Sequence, residues 1–201
     1  GGREHALIRK LKESKRCGAI HCAPGNGGIS RDAVCHNVSG TDVDGIVKLA
    51  KELKVDLVFV APDDPLMAGL VDALEKEGIR AFGPRQNAAL IEGSKVFSKN
   101  LMKKYGIPTA GYEVFDDPKE ALRYIQEQNT YPTVIKADGL ALGKGVILAE
   151  NEEQAKDALH SIMEDKVFGA SGSRVVIEEF LTGPEVSVLS FTDGKTLCPM
   201  V

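Results

Sequence analysis

A chain of 201 residues, 43% hydrophobic and 27% charged, carries enough apolar material to bury a core in one large domain or two small ones. Its 25 Lys plus Arg against 29 Asp plus Glu leave a formal net charge of −4, which excludes a general attraction to nucleic acid or anionic lipid, so anion recognition has to be local. No apolar run approaches the ~20 residues of a membrane span, and glycines and charges open the chain in place of a signal peptide's apolar stretch, so a cytoplasmic protein is expected.

The first eighty or so residues alternate helical and strand patterns at the pace of an α/β fold with a parallel sheet. Residues 4–14 put Leu7, Ile8 and Leu11 at helical spacing, 18–22 form a short strand, and 43–54 align Val43, Ile46, Val47, Ala50 and Leu53 on one helix face. Residues 56–61 hold the run Leu57, Val58, Phe59, Val60, Ala61 and predict a buried strand. Pro62 and Pro65 then bracket a turn before a helix carrying Leu66, Leu70, Val71 and Leu74, and a further strand at 79–82 ends at Gly83 and Pro84. A doubly wound sheet normally feeds its first glycine turn from a strand. Gly1 already lies inside that turn, so a preceding strand is expected, and these residues without it are expected to fold poorly alone.

The rhythm changes after Gly83. A helical region over 87–105, interrupted at Gly93, leads to a strand at 112–115, and Asp117 followed by Pro118 is an N-cap and first-turn pair opening a helix with Ala121, Leu122 and Ile125 inward. Strands are predicted at 133–137, 146–149, 174–181 and 185–192, with a helix over 152–164 and a hairpin at Asp193-Gly194. This second part reads as α+β with mostly antiparallel strands. A boundary near Ala88 divides the chain into 1–88, a parallel-sheet, Rossmann-like domain, and 89–201, an α+β region.

Cys17, Cys22, Cys35 and Cys198 show neither the C-x-x-C pairing of a zinc site nor the density of a secreted disulfide scaffold, so reduced thiols are expected. His21 and His36 beside Cys22 and Cys35 allow a metal cluster, but strand-like flanks favour buried thiols.

The stretch KADGLALGKGV, residues 136–146, packs three glycines and two lysines between two strands. Glycines let backbone N–H groups approach an anion while ammonium groups neutralise it, which points to phosphate. A Walker A loop is excluded: three residues separate Gly139 from Gly143, Gly145 follows Lys144, and a strand comes next instead of a helix. What fits is a glycine flap between two strands, with Lys144 at its tip and Lys136 pointing from the strand toward the same phosphates; a plain surface hairpin is the alternative. Lys95, at the start of a helix where a cation is disfavoured, hints at an anionic partner. The apolar run Val175, Val176, Ile177 offers a surface to adenine, and Glu178, Glu179 or Glu185 a partner for ribose hydroxyls; otherwise these are exposed strand-end acids.

Taken in order, IEGSKVFSKNLMKKYGIPTA (91–110), YPTVIKADGLALGKGVILA (131–149) and RVVIEEFLTGPEVS (174–187) resemble the ATP-grasp ligases. GGREHALIRKL (1–11), APGNGG (23–28) and APDDPL (61–66) narrow the resemblance to the phosphoribosylamine–glycine ligases, over essentially the whole chain. The resemblance implies a pre-ATP-grasp domain followed by the first part of an ATP-grasp domain. It implies that Lys95 and Lys136 contact ATP phosphates, that Gly143, Lys144 and Gly145 form the flap, that Glu178, Glu179, Phe180 and Leu181 seat adenine, and that Glu185 binds ribose. Gly1, Gly2 and Arg3 would belong to a substrate-facing turn, with Pro24, Gly25, Asn26, Asp63 and the rest of the turn at 62–66 lining the same crevice; the helix start behind Gly2 would suit a substrate phosphate. The family usually has Glu where this chain has Asp63 and a small residue where it has Leu142, so a weaker substrate contact and a stiffer flap are expected.

The implied partners are glycine and phosphoribosylamine, with ATP and Mg2+ as cofactors; the magnesium ligands and much of the acceptor site are expected beyond Val201, no metal ligand is expected within 1–201, and these residues alone are expected not to turn over. Nothing in the sequence specifies an oligomeric state. Three rivals remain: another ATP-grasp carboxylate-amine ligase or carboxylase, a non-catalytic nucleotide-binding module, and a dinucleotide oxidoreductase. The last wants an acid at the end of the second strand, where Cys22 and Ala23 stand.

Overall fold

The computed structural model describes residues 1–141 and 145–200. Helix α1 (Gly2–Lys12) buries Ile8 and leads to β1 (His21–Cys22), which pairs in parallel with β2 (Val34–Cys35) through a 3-10 turn at Ile29–Arg31. Helix α2 (Val43–Leu53) starts where the Asp42 side chain accepts from Gly45 N and stops where Lys54 turns left-handed. Strand β3 (Val58–Phe59) pairs in parallel with β4 (Ala81–Phe82), across α3 (Asp63–Met67) and α4 (Leu70–Lys76). The parallel pairing matches the α/β expectation, but the strands are short. Among the described residues β1–β2 and β3–β4 are separate two-stranded sheets, so each strand has one neighbour and little ladder to extend it. The expected buried run at 57–61 is accordingly open at Leu57 and Phe59, and Val60 alone is fully buried.

The turn expected between Pro62 and Pro65 is a correction: Pro62 caps α3 and Pro65 lies inside its first turn. The first N–H groups of a helix have no intrahelical partner, so a proline there loses nothing. Gly69, at φ +83, then splits the expected single helix into α3 and α4. Ile46, Ala50, Val60, Leu66, Leu70, Val71, Leu74 and Ala89 pack into one hydrophobic cluster.

Helix α5 (Gln86–Gly93) and α6 (Lys95–Tyr105) meet at Ser94, whose side chain caps α6 by accepting from Phe97 N. Four strands follow: β5 (Tyr112–Phe115), β6 (Thr133–Ala137), β7 (Val146–Ala149) and, after helices α7 (Pro118–Gln128) and α8 (Glu152–Leu159), β8 (Val175–Glu179). They form one sheet in the order β5-β8-β6-β7, every neighbour antiparallel. Asp117 caps α7 as expected, accepting from Lys119 N and Glu120 N. The helix expected over 152–164 leaves α-geometry at His160–Glu164, which widens to a π-turn. The strand expected at 174–181 ends at Glu179, and that expected at 185–192 shrinks to β9 (Ser190–Thr192), which makes a hairpin with β10 (Leu197–Pro199) around Asp193-Gly194.

Strand alternation divides the faces of the four-stranded sheet. Ile135, Ala137, Ala149, Val175 and Ile177 face a second cluster built with Ala121 and Ile125 of α7 and Ala155, Ala158 and Leu159 of α8. Full burial of each large side chain there contributes roughly 1.5–3 kcal/mol. The other face carries Lys136 and Glu178.

Candidate functional site

On that second face, register sets Lys136 opposite Val176, and Glu178 opposite both Val134 and Tyr112. Lys136 and Glu178 are therefore diagonal neighbours on adjacent strands, within reach of a long side chain. Lys136 Nζ donates to Glu178 Oε2 at 2.9 Å. Lys99 Nζ, from α6 above the sheet, lies 3.1 Å from the same oxygen, donates to Thr109 Oγ1 at 2.8 Å and Ala110 O at 3.3 Å, and stands 5.4 Å from the Tyr112 ring centroid. The Glu178 and Lys99 side chains are 6% and 8% exposed, Lys136 26%. Glu178, expected to help seat adenine, thus has its carboxylate gripped by two ammonium groups. Of the apolar run 175–177, Val176 alone shares this face; Val175 and Ile177 belong to the core.

Lys95 is the first residue of α6, and its Nζ donates to Gly139 O at 2.9 Å, which puts it over the start of the glycine stretch. Asp138 holds it there. Its carboxylate, in a residue 8% exposed, accepts from Ser94 Oγ (3.0 Å) and Val96 N (3.2 Å) and pairs with Arg174 Nη2 (2.6 Å), tying the N-terminus of α6 to the end of β6. Gly139 sits at φ +105, where an added Cβ would meet Ser171 Oγ at 2.7 Å. Gly145 closes the other end, its carbonyl accepting from Ala137 N, and a Cβ on it would meet Ala141 Cβ at 2.6 Å. The stretch does join two antiparallel strands. Leu142, Gly143 and Lys144 lie outside the described residues.

Beyond β8 the predicted residues disperse. Glu179 N donates to Gly111 O and its carboxylate accepts from Gly111 N, so this side chain is spent on the β5 entry. Phe180 and Leu181 are 41% and 61% exposed, past the last ladder bond, and Glu185 is exposed in an irregular stretch. Among the described residues no hydrogen bond or ion pair joins Glu185 to the lysines.

At the front, His5 and Lys12 tie α1 to the connection between β1 and β2. His5 of α1 pairs with Asp32 at 2.8 Å, Lys12 reaches the same carboxylate at 2.7 Å, and Asn26 Oδ1 accepts from Gly28 N and Ile29 N. Lys12, then His5, holds the Asp32 carboxyl down at about 2. Gly25, at φ +77, lies so close over Cys35 Sγ that no Cβ fits there. Gly1, Gly2 and Arg3 are exposed at the opening of α1, Pro24 and Asn26 are exposed and Gly25 half-buried after β1, and Asp63 begins α3; the bonds that tie α1 to this region come from His5 and Lys12.

The histidines and cysteines near the chain's front divide between the two faces of the first strand pair. Cys22 and Cys35 are register partners on one face of β1–β2; alternation sends His21 and His36 to the other, where Nδ1 and Nε2 meet at 2.9 Å. The thiols are also less buried than expected: Cys17, Cys22 and Cys35 are half-buried and Cys198 exposed. Burial, with Cys35 adding to it, pushes the Cys22 thiol up. Among the described residues no group of three or more His, Cys, Asp or Glu side chains is placed to hold a metal ion.

Sequence reasoning missed Lys99, Asp138 and Arg174. Lys99 had a signal, because Lys95, Lys99 and Lys103 recur at four-residue steps on one helix face.

Residues 1–92 match the family described as phosphoribosylglycinamide synthetase, N domain, and residues 93–201 match phosphoribosylglycinamide synthetase, ATP-grasp (A) domain. A phosphoribosylamine–glycine ligase of Caldanaerobacter subterraneus is 46% identical over 201 residues, 100% of this chain and 48% of the relative. The crystal structure of phosphoribosylamine–glycine ligase from Thermotoga maritima superposes with a TM-score of 0.77 at 33% identity, over 99% of this chain and 46% of that one. The biotin carboxylase domain of Hydrogenobacter thermophilus 2-oxoglutarate carboxylase shares the fold, with a TM-score of 0.69 at 22% identity over 88% of this chain and 41% of that one. The chain spans about half the length of the curated relatives it matches.

Proposed function

This chain belongs to the phosphoribosylglycinamide synthetase family, and on that premise we propose that the protein joins glycine to 5-phosphoribosylamine at the expense of ATP, in purine biosynthesis. Glycine's carboxylate attacks the γ-phosphate, giving glycyl phosphate and ADP; the amine then attacks that carbonyl, releasing phosphate and forming the amide of glycinamide ribonucleotide. Positioning and charge neutralisation dominate such chemistry. The observation that carries the reading is that both lysines are held about the glycine stretch: Lys95 Nζ donates to Gly139 O at its start, and Lys136 lies on the strand that leads into it, bonded to Glu178.

In this reading Lys95 and Lys136 bind the triphosphate, and Gly143, Lys144 and Gly145 cover it. Adenine lies near Val176, with the backbone of Phe180 and Leu181 along its edge, because those groups follow the last ladder position of β8. Glu185 takes the ribose. Gly1 to Arg3, Pro24 to Asn26 and Asp63 face the acceptor. Residues 1–88 form the substrate-facing unit and 89–201 the nucleotide-binding unit; two separate hydrophobic clusters support a two-unit chain, with Ala89 of α5 still packed in the front one. Magnesium would neutralise phosphate charge; the described residues offer it no cluster of ligands. A cytoplasmic location accords with reduced thiols and with small soluble substrates.

The test is ADP release by the full-length protein. Dependence on both glycine and phosphoribosylamine is expected; release that ignores either substrate would reject the reading.

A further inference from the structure

We propose that Lys99 is a positioning residue: it holds the charge of Glu178 so that Lys136 is released to bind a triphosphate. The proposal rests on the nucleotide reading of Lys136 given above. Two ammonium groups converge on one carboxylate oxygen, Glu178 Oε2, from 3.1 Å and 2.9 Å, so the trio carries a net charge of +1. The two lysines are not equivalent. Lys99 donates to Thr109 Oγ1 and Ala110 O, pairs with Glu178, and is buried. Lys136 is about one quarter exposed, and Glu178 is its partner among the described residues. It is the lysine that can turn toward an anion.

When it turns, Glu178 stays behind at 6% exposure, and Lys99 alone keeps that carboxylate from being a lone buried charge. Without Lys99, withdrawing Lys136 would strand the carboxylate, so Lys136 would remain clamped and its charge cancelled. A residue that touches no phosphate thereby sets how much positive charge faces one. Tyr112, whose ring lies 5.4 Å from Lys99 Nζ, adds a neutral wall that stabilises the cation in place.

The test is a double-mutant cycle in the full-length protein, reading the affinity for inorganic tripolyphosphate by calorimetry. That probe has no adenine, so any contact of Glu178 with the base drops out. Lys99→Met preserves length and volume, and Lys99→Gln, which keeps a donor for Thr109, serves where the methionine variant does not fold. Either is expected to weaken binding about tenfold or more, as expected when a buried charge pair loses one member. In a Glu178→Gln background the same change should cost less than about threefold, since nothing there holds Lys136 back. Equal losses in both backgrounds would assign Lys99 to packing and overturn the proposal. So would wild-type affinity in the Lys99 variants while Lys136→Ala binds poorly. Unchanged affinity in Lys136→Ala would overturn the nucleotide reading beneath it instead.

Discussion

Replacing Asp138 by alanine removes a carboxylate that ties the start of α6 to the end of β6. Three donors lose their acceptor: Ser94 Oγ, Val96 N and Arg174 Nη2. The Arg174 side chain is 48% exposed and rehydrates, so its loss is worth no more than about 1 kcal/mol. Ser94 still caps Phe97 N, and its hydroxyl can rotate. The Val96 amide is different, being buried with no second acceptor among the described residues. Hydrogen bonds to a charged group contribute about 1.5–3 kcal/mol each, which puts the local loss at about 3 kcal/mol or more. The assay is hydrogen exchange in the full-length protein: at about 1.4 kcal/mol per factor of ten, protection of the Val96 amide should fall on the order of 100-fold. Asp138→Asn, which retains an acceptor oxygen, should fall by roughly tenfold or less. Protection in Asp138→Ala within threefold of wild type would refute the idea that this carboxylate sets the position of Lys95.

Lys136→Ala in the full-length protein should weaken ATP binding at least about tenfold, through loss of a charge contact to phosphate; unchanged affinity in a calorimetric titration would reject its assignment. Gly139→Ala imposes a side chain at φ +105 against Ser171 Oγ, a strain of about 1–3 kcal/mol, and should lower the thermal midpoint together with ATP affinity; an unaltered melt would argue against the loop geometry. Asp32 has its folded-state pKa depressed from 3.8 to about 2 by Lys12 and His5, so its contribution to stability is present above the unfolded value and is lost as pH falls from about 4 toward 2. Unfolding midpoints across that window should converge for wild type and Asp32→Asn at the acid end and diverge above it; parallel curves would contradict the pairing.

The antiparallel half of the fold was open to reading because its signals are local. Asp117-Pro118 announces a cap, Asp193-Gly194 a hairpin, and the β-branched runs mark strands, the one expected at 133–137 over its whole length and the one expected at 174–181 over Val175–Glu179. The parallel half was harder, since 56–61 is apolar enough for a strand yet pairs over two residues with a single neighbour, a matter of partners that no local pattern contains. Pro65 misled for a similar reason: its effect depends on which turn of the helix it occupies. In the site, Lys95 and Lys136 stood out through their glycine-rich and helix-start contexts. Asp138 and Lys99 did not, because their roles come from residues 44 and 79 positions away being folded against them. The pairing of Glu178 with two lysines needed the register of β6 on β8, which alternation suggests but does not set.

The structure of the full-length protein with Mg-ATP bound bears most directly on the nucleotide assignment. The triphosphate should lie within hydrogen-bond distance of Lys95 Nζ and Lys136 Nζ, with Lys99 Nζ still on Glu178. Phosphates seated elsewhere, with Lys136 unmoved from Glu178, would contradict it.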